Sequence, residues 1–541
     1  MTAAIPALAG ERTTVPAAKI DAIFAQWDTT HSPGVVLAII QDGAIVYQRG
    51  YGMANLEQDV PLSPDSVFYI ASTSKQFTAT SMALLARQGK VSLDDDVRKY
   101  ITELPDYGAT ITIRHLIHHT SGLRDYLTLN SIGGRTTSGL TNDDAVRLIA
   151  RQKELNARPG EEYSYSNSGY VLMSTIIKRA SGKSLREFSD EFIFRPLGMT
   201  HSLFRDDRSM IIKRRVTGYA PAPGGFRTDD SDIETTGGGN VWTTVGDLLL
   251  WDRSFYDNRL GDGLTKQLLS PGKLADGRVL DYAYGLHVDK YKGFTRVEHG
   301  GAFAGFRSEM IRFPEQRLTV ICLANLGSIE PEALSLQVAD LYLADSIPAQ
   351  PAVAADLSPV KLTADDLAAF AGSYRDPRDG SLWTFIVDDD VLQLERFGPF
   401  RIAMLPTGEA GFRDKDGRRN LVCTFIPPQD AKPGQVRVQI DGGTARTFEA
   451  VKLASPTPDE LQAYAGSYFS PEAEATLTLI FDEGRLKLDA PARPREPLKA
   501  GASDEFLGSI GTLQFERNSS NQVTGFRYNL PRVRKLQFNR R

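Results

Sequence analysis

Two stretches in the C-terminal third of the chain are near copies of each other. LTADDLAAFAGSY at 362–374 and PTPDELQAYAGSY at 456–468 align without a gap, offset by 94 residues. Each is followed by segments in which apolar and polar residues alternate, such as LWTFIVDDDVLQLERF and ATLTLIFDEGRLKLDA. Alternation with period two marks half-buried strands. Aspartates beside glycine or acidic neighbours supply the turns between them, and many short strands with regular turns suit a small antiparallel barrel. The duplication therefore predicts two β-barrels, at 362–454 and 455–541. The Pro/Ala-rich SIPAQPAVAADLSPV reads as a linker, 346–361. Residues 1–345 are left as one N-terminal domain.

Within that domain AKIDAIFAQW predicts a first helix with Ile20, Ile23, Phe24 and Trp27 on one face. GVVLAIIQDGAIVYQRGYG predicts a β-hairpin turning at Asp42–Gly43. A long, mostly helical region follows, to residue 260. Strands return in YAYGLHVDKY, TRVEHGG, GFRSEMIRFP and RLTVICLAN, and EALSLQVADLYLA closes the domain as a helix. Strands from both ends enclosing a helical insert imply an α+β fold, an antiparallel sheet with helices on its faces plus a helical region.

The chemistry begins in IASTSKQFTAT, residues 70–80, where an apolar extended run gives way to a helical pattern. Ser72 and Lys75 are three apart, so they share a helix face. A serine hydroxyl is a weak nucleophile until a neighbour handles its proton. At a helix start its own N–H also points into the site from the positive end. Ser-x-x-Lys recurs at Ser270–Lys273 and Ser358–Lys361, but a proline follows each serine and both read as turn or linker. Only the first match has company in chain order: Tyr165-Ser166-Asn167, then His299-Gly300-Gly301. A tyrosine beside an ammonium group becomes more acidic and can act as general base and acid. The Asn167 amide offers a substrate both donor and acceptor. A strand with glycines lets substrate approach the backbone closely and supplies an N–H to an oxyanion.

With these motifs the chain resembles the penicillin-recognising serine hydrolases. It is most similar to the branch holding class C β-lactamases, D-alanyl-D-alanine carboxypeptidases, related esterases and D-aminopeptidases. The resemblance runs from residue 20 to 345 and includes SVFYIASTSKQFTATSMALLARQGKVSLDDDV, ITIRHLIHHTSGLRDY, FIFRPLGMTHSLF and GGGNVWTTVGDLLLW. It implies a β-lactamase-like catalytic domain. Ser72 would be the acyl nucleophile, Lys75 and Tyr165 the proton-handling pair, and His299 a catalytic residue on the strand facing substrate. The N–H groups of Ser72 and Ala302 would form the oxyanion hole, with Asn167 and Gly301 beside the substrate. Many relatives carry Lys-Thr-Gly where this chain has His299-Gly300-Gly301. Losing a permanent charge and a hydroxyl removes much of the grip on a free C-terminal carboxylate. Together with the paired barrels, that implies a D-aminopeptidase-like enzyme releasing N-terminal D-residues from short peptides or amides. A carboxylesterase or a weak β-lactamase is the alternative, and an idle ligand-binding relative fits less well because all four site residues are present.

Composition excludes other classes. The 62 basic and 67 acidic residues leave a net charge of −5 with no basic block, which argues against nucleic acid. No apolar run is long enough to span a bilayer. Cys322 and Cys423 make no disulfide framework. HLIHH puts His115 and His119 at helical spacing, but no third ligand is evident, so no metal and no cofactor is expected. MTAAIPALAG lacks a basic start and is not a complete signal peptide. The expected location is cytoplasmic, or periplasmic if an upstream signal sequence is missing. The expected partner is a small-molecule or short-peptide substrate, and a homodimer is compatible with the sequence.

Overall fold

A computed structural model describes residues 16–344, 362–378, 380–395, 401–408, 410–415, 421–428, 434–440 and 445–541. The expected linker at 346–361 and the Ser358–Lys361 decoy lie outside the described residues. The chain forms two compact units that divide at residue 348, the second also taking in Ser131–Arg135.

The first unit is built on a six-stranded antiparallel sheet. Its strands are β1 (Val35–Gln41), β2 (Ala44–Tyr51), β3 (His287–Tyr291), β4 (Phe294–Phe303), β5 (Phe306–Phe313) and β6 (Leu318–Ala324), in the spatial order β3-β4-β5-β6-β1-β2. The two ends of the domain meet where β1 pairs with β6, Val35 opposite Ala324. The β1–β2 turn falls at Asp42 and Gly43, both with positive φ, as a tight two-residue hairpin requires. β1 is apolar and buried from Val35 to Ile40 because both its faces are covered. Val35, Leu37 and Ile39 pack with Ile20 and Phe24 of helix α1 (Ala17–Phe24).

Four further helices complete the layers that concern the site: α2 (Lys75–Arg87), α3 (Asn167–Ser181), α4 (Val245–Asp257) and α5 (Pro331–Leu343). Leu334 and Val338 of α5 join the core that α1 helps to cover. α2 is buried without interruption from Lys75 to Ala83, so it is a core helix and not an amphipathic surface one. Its polar side chains are satisfied internally: Thr78 Oγ1 donates to Gly237 O at 2.8 Å, and Gln76 accepts from the Trp251 indole of α4. An ion pair between Arg312 of β5 and Asp252 of α4, 2.7 Å apart with both side chains 2% exposed, ties α4 to the sheet.

The second unit holds the duplicated part. Eight strands between Gly372 and Val451 close into an antiparallel barrel, the first pairing with the last at Tyr374 and Ala450. The second copy is a nine-stranded antiparallel sheet whose two edge strands, Glu496–Pro497 and Lys499–Ala500, are almost adjacent in the chain, so it is nearly closed. The repeated segments form the same helical turn in each copy. Thr363 with Asp366, and Thr457 with Glu460, make reciprocal caps at its start.

Candidate active site

Ser72 sits in a single tight turn, Ala71–Ser74, that leads straight into α2. Two features aim it. The preceding strand residues Phe68 and Tyr69 pair with Val241–Thr243, which fixes the entry direction. Ala71 is held at φ +44°, a left-handed conformation that costs a non-glycine residue of order 1–3 kcal/mol. The chain thus turns sharply at the residue before the hydroxyl.

Lys75 opens α2 and is fully buried, with 0% exposure. Its ammonium donates to Ser72 Oγ at 3.0 Å, to Asn167 Oδ1 at 2.9 Å and to Gly238 O at 2.6 Å. It also lies 4.9 Å from the centre of the Tyr165 ring and 5.4 Å from that of Tyr170. The structure therefore brings Ser72, Tyr165 and Asn167 around one buried cation, Lys75. The Asn167 amide is committed at both ends: its carbonyl faces Lys75, and its backbone N–H and Nδ2 both donate to Asp125 Oδ2, at 2.8 and 2.9 Å. Asn167 is accordingly placed to hold the lysine.

β4 forms the opposite wall. Thr73 Oγ1 donates to His299 O at 3.0 Å and lies 2.9 Å from Ser308 Oγ, which in turn donates to Ile70 O at 2.8 Å. These bonds clamp the strand against the nucleophile turn. Gly301 is what permits the approach. A Cβ there would collide with Ile70 O and Ser308 Oγ and come within 3.0 Å of Ser72 N. Ala302, the next residue, is exposed and lies opposite Arg307 of β5.

His299 is buried, and its ring sits 2.6 Å from Gly300 O through Nδ1 and 3.0 Å from the Tyr282 hydroxyl through Nε2. A carbonyl can only accept, so Nδ1 carries the hydrogen and Nε2 accepts from Tyr282. Burial first, then the His287 ring and the Lys75 charge, hold the imidazole well below its usual pKa. It is uncharged near pH 7, so the His299 position presents no cation to a substrate carboxylate.

Sequence reasoning missed Asp125, Gly238, Tyr282 and the Thr73–Ser308 pair. Asp125 and Gly238 lay inside segments already singled out, SGLRDY and GGGN, but nothing in their spacing marked them. His115 and His119 do not share a helix face: the helix Ile113–Ile117 ends before His119, which has φ +56°. His115 Nδ1 accepts from Thr112 N at 3.2 Å at that helix's start. Among the described residues no group of His, Cys, Asp and Glu is arranged to hold a metal ion, and no helix is long and apolar enough to cross a membrane.

A serine three residues before a buried lysine at a helix start, a tyrosine against that lysine and a glycine-lined strand thus lie together in the fold. The Beta-lactamase family profile matches residues 20–345, and the chain belongs to that family. It is 31% identical to a D-aminopeptidase of Gluconobacter oxydans (strain 621H) over 54% of this chain, spanning 56% of that relative's length. It is 27% identical to a D-aminopeptidase of Brucella anthropi over 84% of this chain and 82% of the relative. The octameric penicillin-binding protein homologue from Pyrococcus abyssi superposes with a TM-score of 0.57 at 24% identity, covering 80% of this chain and all of that one, and shares its fold. The chain is a serine hydrolase of this family.

Proposed function

We propose that the protein is a D-aminopeptidase-like hydrolase that releases N-terminal D-residues from short peptides or amides through an acyl-enzyme on Ser72. The observation that carries this reading is the uncharged His299 on the wall facing Ser72, held by Tyr282 and Gly300 O. A site without a fixed cation there lacks the usual grip on a C-terminal carboxylate and favours substrates without one. The similarity to D-aminopeptidases, one of them over 84% of this chain, supports the same choice.

In the proposed mechanism Tyr165, with Lys75 beside it, takes the Ser72 proton as Oγ attacks the carbonyl carbon. The carbonyl oxygen becomes an oxyanion and accepts from Ser72 N–H and Ala302 N–H. The intermediate collapses with cleavage of the C–N bond, and Tyr165 returns the proton to the leaving amine. Water then attacks the ester, Tyr165 taking its proton and passing one back to Ser72 Oγ. Lys75 remains charged throughout, held by Asn167 and Gly238 O. The neutral wall equally suits short acyl esters, which makes a carboxylesterase the second reading.

The test is a substrate panel: a D-alanyl anilide, its amine-blocked form, an acyl-D-alanyl-D-alanine peptide, a short acyl ester and a chromogenic cephalosporin. The free D-alanyl anilide is expected to react fastest. Equal rates for free and amine-blocked anilides would move the assignment to the esterase, and a dominant rate on the acyl dipeptide would reject the reading.

A further inference from the structure

We infer that His119 is a positioning residue for Tyr165; the inference rests on the acyl-serine reading above, in which Tyr165 moves the proton. Tyr165 lies in a loop with no helix or strand of its own, since α3 begins only at Asn167. Its placement must come from whatever the loop is pinned to. The segment 119–126 is that template. Thr120 O accepts from Gly160 N at 2.8 Å, Gly122 O accepts from Asn156 N at 2.7 Å, and Tyr126 N donates to Ser168 Oγ at 2.9 Å.

His119 holds the part of the loop that matters most. Its carbonyl accepts from Ser164 N at 2.8 Å, and its ring Nδ1 accepts from Ser166 N at 3.1 Å. In extended chain the N–H groups of alternate residues point the same way, so one residue catches both neighbours of Tyr165 along one edge. Its ring then lies against Tyr165 itself, with centroids 4.2 Å apart and planes tilted by 32°. Tyr170 at 5.0 Å and Tyr282 at 4.7 Å pack the same imidazole from other sides. Tyr282 is the hydroxyl that holds His299, so the two walls of the site lean on one ring. Because Nδ1 receives a hydrogen, the ring is the neutral tautomer protonated at Nε2.

The backbone supports the assignment. His119 is 1% exposed and has φ +56°, where a residue with a β-carbon is uncommon. The left-handed turn is what brings carbonyl and ring to the same edge of the Tyr165 loop. A residue held in such a conformation beside a reactive group points to a demand made by the site.

The experiment is a double-mutant cycle in the full chain, read as kcat and KM on the best panel substrate and as the rate of Ser72 labelling by a fluorophosphonate. His119→Phe keeps a ring but removes the Ser166 acceptor. His119→Asn keeps an acceptor and tolerates the left-handed backbone, so it preserves the test if the phenylalanine variant does not fold. Each variant is expected to lower kcat about 10- to 100-fold with KM unchanged, because displacing a catalytic group by about 1 Å has that effect. Asn is expected to recover part of the loss seen with Phe. Combined with Tyr165→Phe, either change is expected to add little, since His119 acts through a hydroxyl that is already gone. A folded His119→Asn with wild-type kcat, or losses that multiply with Tyr165→Phe, would overturn the assignment. If Tyr165→Phe by itself leaves labelling unchanged, the proton-handling reading fails instead, so the two failures are distinguishable.

Discussion

Gly300 and Gly301 are adjacent and point to opposite faces of β4, so replacing each with alanine separates catalysis from stability. At Gly301 the added methyl would strike Ile70 O and Ser308 Oγ and lie 3.0 Å from Ser72 N. Two of those atoms are backbone of the nucleophile turn and the third is a buried, bonded hydroxyl, so none can swing aside. Relief requires β4 to retreat from the turn by about 1 Å to restore ordinary contact distances. That retreat stretches the 3.0 Å bond from Thr73 to His299 O and draws Ala302 N–H away from the position where an oxyanion would form. Misplacement on that scale lowers rates about a hundredfold, and loss of one oxyanion donor lowers kcat by about 100- to 1000-fold. Gly301→Ala should therefore slow fluorophosphonate labelling of Ser72 by about two to three orders of magnitude while the protein stays folded. At Gly300 the methyl would instead meet Glu309 Oε2 at 2.7 Å, on the far face. Gly300→Ala should lower the melting temperature and leave the labelling rate within a few-fold. The measurements are second-order labelling rates and thermal unfolding for both variants. Near-normal labelling of folded Gly301→Ala would refute the placement of β4 as the substrate wall.

Ser72→Ala should abolish labelling and reduce turnover by several orders of magnitude, and mass spectrometry of the treated protein checks it. Lys75→Met should slow acylation by at least about a hundredfold, because Ser72 Oγ, Asn167 Oδ1 and Gly238 O lose their shared donor, and stopped-flow acylation reads this directly. Glu298 of β4 and Glu309 of β5 hydrogen-bond each other, and burial raises both, Glu298 to about 7. The folded state therefore keeps a proton that the unfolded chain releases above its ordinary value of 4.5, and stability falls as pH rises from there to about 7. Glu298→Gln should therefore lessen the fall in urea stability between pH 5 and 8, with Glu309 still contributing in the same direction, and an unchanged slope would reject this origin. Arg312→Ala should destabilise by about 3–5 kcal/mol, since it removes the guanidinium paired with buried Asp252 and leaves Thr319 Oγ1, at 2.8 Å, beside that carboxylate; the urea midpoint tests it.

What the sequence makes legible here is whatever local chemistry dictates. The turn at Asp42–Gly43 follows from two residues that tolerate positive φ, and the barrels follow from period-two alternation that no helix would bury. Ser72 and Lys75 are legible because their spacing is itself the geometry: one turn of chain sets the 3.0 Å contact. The groups that make the pair usable are of another kind. Gly238 contributes a carbonyl, which every residue has, and it reaches Lys75 only because chain 163 residues away folds back onto α2. Asp125 lies 42 residues from Asn167 in a loop, where an aspartate is ordinarily solvated, and only burial reveals that its carboxylate aims the amide that holds the lysine. His119 misleads in a more specific way. Its spacing from His115 suggests a shared helix face, but the helix ends at Ile117 and the next turn is left-handed, so the two imidazoles serve different loops. The proposed bond-making groups of this site are thus written as a spaced motif, while their alignment is written in buried contacts between distant segments. Substitutions among the second set should accordingly change rate before they change substrate affinity.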